Sequence, residues 1–478
     1  MQKERLSEIL EQRKEDFFSL SREIWSHPEL SLSEYHAAEV YVDLLRAEGF
    51  RVETGLSGIQ TAFSGTYGSG KPVIGILGEF DALDGLSQES GSLVKKPLVR
   101  GGCGHGCGHN LLGAAAFAAA VAVKEYLKEK RSGTVIFYGC PGEEGGAAKA
   151  FMARDGHFRK LDAALTWHPD DVNEIVSGSC MASLQSEYKF DGRASHAASA
   201  PQMGRSGLDA AELMNLGTQF LREHLAPGDM VHYAFTNAGG ISPNVVPSEA
   251  RVLYMVRSNT VRGAKEVLRR VENIARGAAM MTETTLTRRF IDGTSDTLPN
   301  HTLERVLWKN FSEAQLPEYT PEEWSIAERI RETWDRGGVP GSCCQSDPDT
   351  LAFVRKASEG GKRALNDFLI PYNPSAITCP GSTDVGDVSH LTPTAQIHTA
   401  CFPSGIPGHS WQIVSLGVGS IAHKGMLLAA KVLAASAYDL YEDPSLLKMA
   451  RTEFEAVSGE YLCPIEDGTV PTLPGSDF

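Results

Sequence analysis

Seven consecutive residues, Gly104-His105-Gly106-Cys107-Gly108-His109-Asn110, carry the densest set of reactive groups in this 478-residue chain. Cys-x-His offers a thiolate and an imidazole to one cation, and the flanking glycines let the backbone bend to aim both. Alone, the run is equally compatible with a glycine-rich turn whose Cys and His are incidental, so further ligands decide. They stand in Gly142-Glu143-Glu144-Gly145 and at His168, each just beyond an apolar run, and Asp81 has the same relation to its own run. In open α/β sheets, sites gather outside the carboxyl ends of strands. Adjacent glutamates on an extended backbone cannot both point at one metal, so one suits metal binding and its neighbour faces an attacking water.

The elements that must position these residues are legible as periodic segments. Val73–Phe80, Thr134–Tyr138 and Ala163–Trp167 are near-continuous apolar runs, and Leu111–Lys130 is an Ala/Leu-rich helix. Such runs alternating with helices imply an α/β sheet covered on both faces. Before them, the spacing of apolar residues to about Phe50 predicts two helices separated by the stop His27-Pro28-Glu29-Leu30. From Leu184 to Phe290 the pattern becomes βαββαβ, the split-βαβ or ferredoxin-like unit, with Val267, Leu268, Val271, Ile274, Ala275 and Ala278 on one helix face. The remaining third, including a strong apolar helix over Ala422–Tyr438, reads as returning to the first domain. The expected boundaries are 1–183 and 293–478 for a discontinuous catalytic domain and 184–292 for an inserted lid or dimerisation domain.

Composition narrows the function classes. With 42% hydrophobic and 22% charged residues the chain is that of a folded globular protein. A net charge of −15 with acidic residues spread along the chain lacks the electrostatic footprint of a nucleic-acid binder. The N-terminus has no charged-then-apolar secretory pattern, and the Leu111–Val123 stretch is too Ala-rich and short for a bilayer, so the expected compartment is the cytoplasm, without membrane attachment. Nine cysteines, an odd number, argue for free or metal-bound thiols rather than a disulfide scaffold. Cys103 reads as a loop thiol and Cys343-Cys344 as uninvolved.

The string His105-Gly-Cys-Gly-His-Asn110 resembles the signature of M20 peptidases in the aminoacylase and hippurate-hydrolase branch, and Pro141-Gly-Glu-Glu-Gly145 resembles that family's glutamate pair. The likeness extends through His27-Pro28-Glu29, Asp81-Ala-Leu83, Gly192-Arg-Ala-Ser-His196 and Gly408-His409. It implies an α/β fold whose mixed-sheet, dinuclear-metal domain carries the inserted unit. It implies that Cys107, His109, Glu144, His168 and His409 hold two divalent ions, zinc or manganese, with Cys107 the candidate bridge and Glu143 the general base and acid. His398 and His423 are the alternatives to His409. Asp81 resembles the carboxylate that orients a ligand imidazole. His196 resembles the histidine that reaches the site of a neighbouring subunit, and Asn244 and Arg257 resemble holders of the substrate α-carboxylate; the Gly381-Ser-Thr-Asp384 loop resembles a substrate-lining loop.

The implied reaction is hydrolysis of an amide bond that frees an amino acid from a small N-acyl substrate. p-Aminobenzoyl-glutamate is the leading case, and other N-acyl or N-aroyl amino acids, hippurate-like or auxin conjugates, are the alternative. The implied assembly is a homodimer through the inserted domain, with a heteromer containing a second, A-type subunit as a further possibility. A non-catalytic binding subunit is the reading from another class, and the retention of Glu143 beside the ligand set argues against it.

Overall fold

The computed structural model describes residues 2–334, 340 and 347–476. Contacts divide the chain into two compact units: the first takes the N-terminal stretch to Ser179, then Leu298–Cys379 and Val388–Tyr461, and the second takes Cys180–Thr297, Pro380–Asp387 and the chain from Leu462 onward.

In the first unit a seven-stranded mixed sheet runs in the order Arg51–Thr54, Phe63–Ser69, Gly133–Gly139, Val73–Gly78, Ala163–Asp170, Thr394–Ala400, Glu174–Val176. The four strands Gly133–Gly139, Val73–Gly78, Ala163–Asp170 and Thr394–Ala400 are parallel to their neighbours among themselves, and the outer pairings are antiparallel. Three of these four, Gly133–Gly139, Val73–Gly78 and Ala163–Asp170, carry the apolar runs, because a strand covered on both faces has no side on which a polar residue would meet water. Helix His109–Leu127 is buried along nearly its whole length and packs on this sheet, with Trp167 Nε1 donating to Leu112 O at 2.9 Å. Among the described residues it alone is long and apolar enough to cross a membrane, and 94% of that window is buried inside the fold. A Cβ at Gly113 would lie 2.7 Å from Glu79 O, so the helix can press against the strand end there only through a glycine.

Three helices, not two, precede the sheet: Glu4–Gln12, Lys14–Ser26 and Tyr35–Ala47. The extra break falls at Arg13, where φ −108° and ψ 8° leave the helical region without a glycine or proline to announce it. The stop at His27-Pro28 is where the sequence puts it, because Pro28 disfavours helical backbone at His27.

The second unit holds a four-stranded antiparallel sheet ordered Thr285–Thr294, Ala182–Asp191, Glu249–Ser258, Met230–Asn237, with helices Gly207–Arg222 and Val261–Thr282. Along Glu249–Ser258 every second residue is buried, Ala250, Val252, Tyr254 and Val256 among them, which is the period-2 signature of a sheet covered on one face. Two later stretches group with this unit although the sequence places them in the other domain. Asp387 accepts from Ser295 N at 3.0 Å and Ser295 Oγ at 2.7 Å, and Glu466 accepts from Arg288 Nη1 and Nη2 at 2.9 and 2.7 Å. Such distant pairings leave no periodic trace in the chain.

The cysteines also differ in part from expectation. Cys103, Cys107, Cys140, Cys180, Cys401 and Cys463 are free, whereas Cys379 is disulfide-bonded. Cys343 and Cys344 lie outside the described residues.

Candidate metal centre and active site

The loop ahead of helix His109–Leu127 turns at Gly108, whose φ of +81° favours glycine and where a Cβ would press on Pro169 at 2.8 Å. That turn sends Cys107 and His109 toward the ends of the parallel strands. Cys107 Sγ lies 3.4 Å from His168 Nε2, and one ligand atom each of Cys107, His109 and His168 fall within 4.8 Å of one another. Cys107, Glu144 and His409 form a second such group, and Glu79, His109 and Glu143 a third. Cys107 therefore belongs to two donor sets, and His109 links one of them to Glu143.

Hydrogen bonds fix which ring nitrogen is offered. His168 Nδ1 donates to the carbonyl of Pro169 at 2.8 Å, so its Nε2 carries the lone pair that faces Cys107 in the neutral ring. Burial first, and then the neighbouring His109 charge, pull His168 down to about 4, which keeps it neutral. His109 Nδ1 lies 2.7 Å from Asp81 Oδ1. Burial would lower His109, but Cys107 and Asp81 push it well above the usual range. Asp81 also accepts from Glu144 N at 2.9 Å and Ser31 Oγ at 2.8 Å. Although burial works against it, His109 and these donors hold the Asp81 carboxyl at about 2. Burial pushes the Cys107 thiol up, against the pull of the neighbouring His109.

Two polar atoms test whether these residues fit metal ions. His109 Nε2 and Glu144 Oε1 are buried without a hydrogen-bond partner among the described residues. They meet Glu79 Oε2 at 3.4 Å and His409 Nε2 at 3.3 Å respectively, at ion-pair distance only. Buried polar atoms normally find a partner, and cations held in the two donor groups would supply one for each. The donor set, one thiol, three imidazoles and a carboxylate, suits a divalent transition metal.

Of the rival histidines, His398 faces Asp170 and Glu174, each at 3.1 Å, and His423 stacks on Phe18 with centroids 4.4 Å apart. His409 is the one beside Glu144, and it takes a left-handed φ of +52°, a conformation that costs a non-glycine residue of order 1–3 kcal/mol. The remaining candidates lie in the second unit. Asn244 O accepts from Ala197 N at 2.9 Å and Val245 bridges to His196, so the two loops are paired. Arg257 Nη1 donates to Ser382 Oγ at 2.6 Å, which puts the Gly381-Ser-Thr-Asp384 loop beside it.

Three contributors escape a sequence reading. Glu79 reads as part of its strand, yet it lies two residues before Asp81 on the same side and meets Lys149 Nζ at 2.6 Å with both groups buried. Ser31 and Glu34 come from a distant turn. Glu34 accepts from Gly142 N at 2.8 Å and Thr61 Oγ1 at 2.9 Å, and burial beside Asp81 pushes it up to about 8. Glu34 thereby pins the loop that carries Glu143 and Glu144.

Residues 75–410 match the model of peptidase family M20/M25/M40. The chain is also 43% identical to the B-type subunit of p-aminobenzoyl-glutamate hydrolase from Escherichia coli K12, over 98% of each chain. The chain belongs to peptidase family M20/M25/M40. As an M20 member it is a metal-dependent amide hydrolase. Solved structures with the M20 fold include an aminobenzoyl-glutamate utilization protein from Klebsiella pneumoniae, 17% identical with a TM-score of 0.61 over 91% of this chain and 98% of that one. A dinuclear metal-binding M20 peptidase from Bacillus subtilis is 16% identical, with a TM-score of 0.53 over 90% of this chain and 99% of that one.

Asp81 gives a direct check of the geometry around His109. Asp81→Asn keeps the shape but replaces the carboxylate that fixes the imidazole; metal affinity or turnover is expected to fall about 10–100-fold. A metal titration of the folded variant measures it, and an unchanged affinity with unchanged turnover contradicts the role.

Proposed function

We propose that this M20 chain hydrolyses p-aminobenzoyl-glutamate to p-aminobenzoate and glutamate, with Cys107, His109, Glu144, His168 and His409 holding two divalent ions. The observation that carries the proposal is the sharing of Cys107 between two donor groups, with Glu143 beside His109. Support for the substrate comes from the 43% identity to a relative that bears that substrate in its name.

Bound in these groups, the ions supply Lewis acidity at the scissile carbonyl and acidify the attacking water. The chain's own residues do the rest. Glu143 takes the proton from the water and returns it to the departing nitrogen, while Glu144, one residue on, is occupied as a ligand. Asp81 holds His109 so that Nε2 faces inward, and Pro169 O does the same for His168. Cys107, with a donor atom in both groups, would be the residue shared by the two ions. His196 stabilises the developing oxyanion in the site of a second copy of the chain. Asn244 and Arg257 receive the substrate's α-carboxylate, for which a guanidinium fork is the natural partner.

The homodimer is supported by the second unit, where the edge strand Met230–Asn237 exposes Tyr233 and Phe235 and the helix Gly207–Arg222 exposes Leu216 and Phe220. A heteromer is the alternative, because the Escherichia coli relative is by its name one of the subunits of its enzyme.

Two experiments bear on the reading. Arg257→Met is expected to raise KM for p-aminobenzoyl-glutamate and cost about 10–100-fold in kcat/KM, the value of a charge-assisted hydrogen bond of roughly 1.5–3 kcal/mol. An unchanged KM removes Arg257 from the site. The metal-reconstituted chain, assayed alone on p-aminobenzoyl-glutamate, hippurate and an indole-3-acetyl amino acid, is expected to prefer the first. Preference for another conjugate overturns the substrate, and inactivity on all three of a chain that carries its metals overturns the catalytic role of this chain by itself.

A further inference from the structure

A second cluster of metal-ligating side chains lies in the first unit and shares no residue with the central one. Glu23 and His27 are one turn apart at the end of helix Lys14–Ser26, and His36 opens helix Tyr35–Ala47. Glu23 Oε1 lies 3.2 Å from His27 Nδ1 and 2.9 Å from His36 Nε2, and the two imidazole rings converge with centroids 4.3 Å apart. One ligand atom from each residue falls within 4.8 Å of the others. Tetrahedral zinc with bonds of ~2.0–2.1 Å separates its ligand atoms by about 3.3 Å, so the two carboxylate distances are within a few tenths of an ångström of a coordinated geometry.

The backbone behind these ligands is held in place. Glu29 accepts from His36 N at 2.9 Å and Ala37 N at 3.0 Å, and its own carbonyl receives Ala82 N at 2.8 Å. His27 Nδ1 also lies 3.1 Å from Glu23 O and from Ser26 Oγ, contacts that an ion would replace. The three side chains are 38–52% exposed, so an ion can enter from solvent and keep water as its fourth ligand.

We propose that Glu23, His27 and His36 form an accessory site for a zinc-type transition metal ion. Two imidazoles and one carboxylate suit zinc or nickel, whereas magnesium and calcium prefer all-oxygen sets. The ion joins the end of one helix to the start of the next across the turn that supplies Ser31 to Asp81 and Glu34 to the Gly142 loop. It therefore steadies that turn and takes no part in the chemistry.

The test uses full-length protein saturated with zinc, desalted and analysed for bound metal. The unsubstituted chain is expected to hold one equivalent more than His27→Ala or His36→Ala, and the same difference is expected in a Cys107→Ser background, where the central ions are perturbed. Added zinc is expected to raise Tm by more in the unsubstituted chain than in either variant, which keeps only the increment from the central ions, because a ligand bound to the folded state alone stabilises it. Magnesium produces no increment, and turnover at saturating metal is the same in all three proteins. Equal stoichiometry in the unsubstituted chain and both variants overturns the proposal, as does a zinc increment in Tm that is as large in Glu23→Gln and His36→Ala as in the unsubstituted chain.

Discussion

Glu143→Ala is expected to bind metal as the unsubstituted chain does and yet lose amide turnover, with kcat lower by about 10²–10⁴, the range of a positioned general base. The division of labour between neighbouring glutamates produces this outcome. Glu144 is held through its backbone by Asp81 and through its side chain by His409, at 2.9 and 3.3 Å, so it is committed to the ligand group. Glu143 falls in the third donor group, with Glu79 and His109, and is the residue the proposal leaves to handle the proton. Removing its carboxylate takes away the proton acceptor and leaves Cys107, His109, His168, Glu144 and His409 in place. Turnover within a few-fold of the unsubstituted chain would remove Glu143 from the mechanism. Loss of metal together with activity would make it a ligand instead.

Cys107→Ser carries the second large effect. Cys107 takes part in both donor groups, so its loss weakens both ions rather than one. A thiol that burial pushes up releases its proton to solvent when a cation takes the proton's place on sulfur, and a serine hydroxyl is a far poorer donor to a zinc-type ion. Bound metal at the central cluster is expected to fall below two equivalents and kcat/KM by more than about 100-fold, the upper end seen even for residues that only support a ligand. Chelation of the unsubstituted protein is expected to abolish turnover, with recovery on adding metal back. A Cys107→Ser variant that keeps full metal and full activity would show that another residue bridges.

The proposed site is more legible in the sequence than the architecture because its candidate ligands sit at short range from strong patterns. Cys107 and His109 are embedded in a glycine-rich run at the mouth of an apolar helix, and Glu143, Glu144 and Asp81 follow apolar strands at once. Sheet physics then does the gathering, since parallel strands deliver their carboxyl ends to one edge. His168 is slightly different, lying inside Ala163–Asp170 and not beyond its end. What stayed hidden depends on contacts across long stretches of chain. Ser31 reaches Asp81 across 50 residues and Glu34 reaches Gly142 across 108, with nothing periodic to mark either. The helix break at Arg13 has no breaker residue, and the grouping of 380–387 with the second unit rests on Asp387 and Ser382 meeting Ser295 and Arg257.

The most direct measurement is anomalous diffraction at the metal edge from crystals of the reconstituted protein. Two peaks about 3.5–4 Å apart are expected among Cys107, His109, Glu144, His168 and His409, with Cys107 Sγ against both. A cluster without any peak, or a single ion bound there without Cys107, would contradict the dinuclear centre on which the mechanism rests.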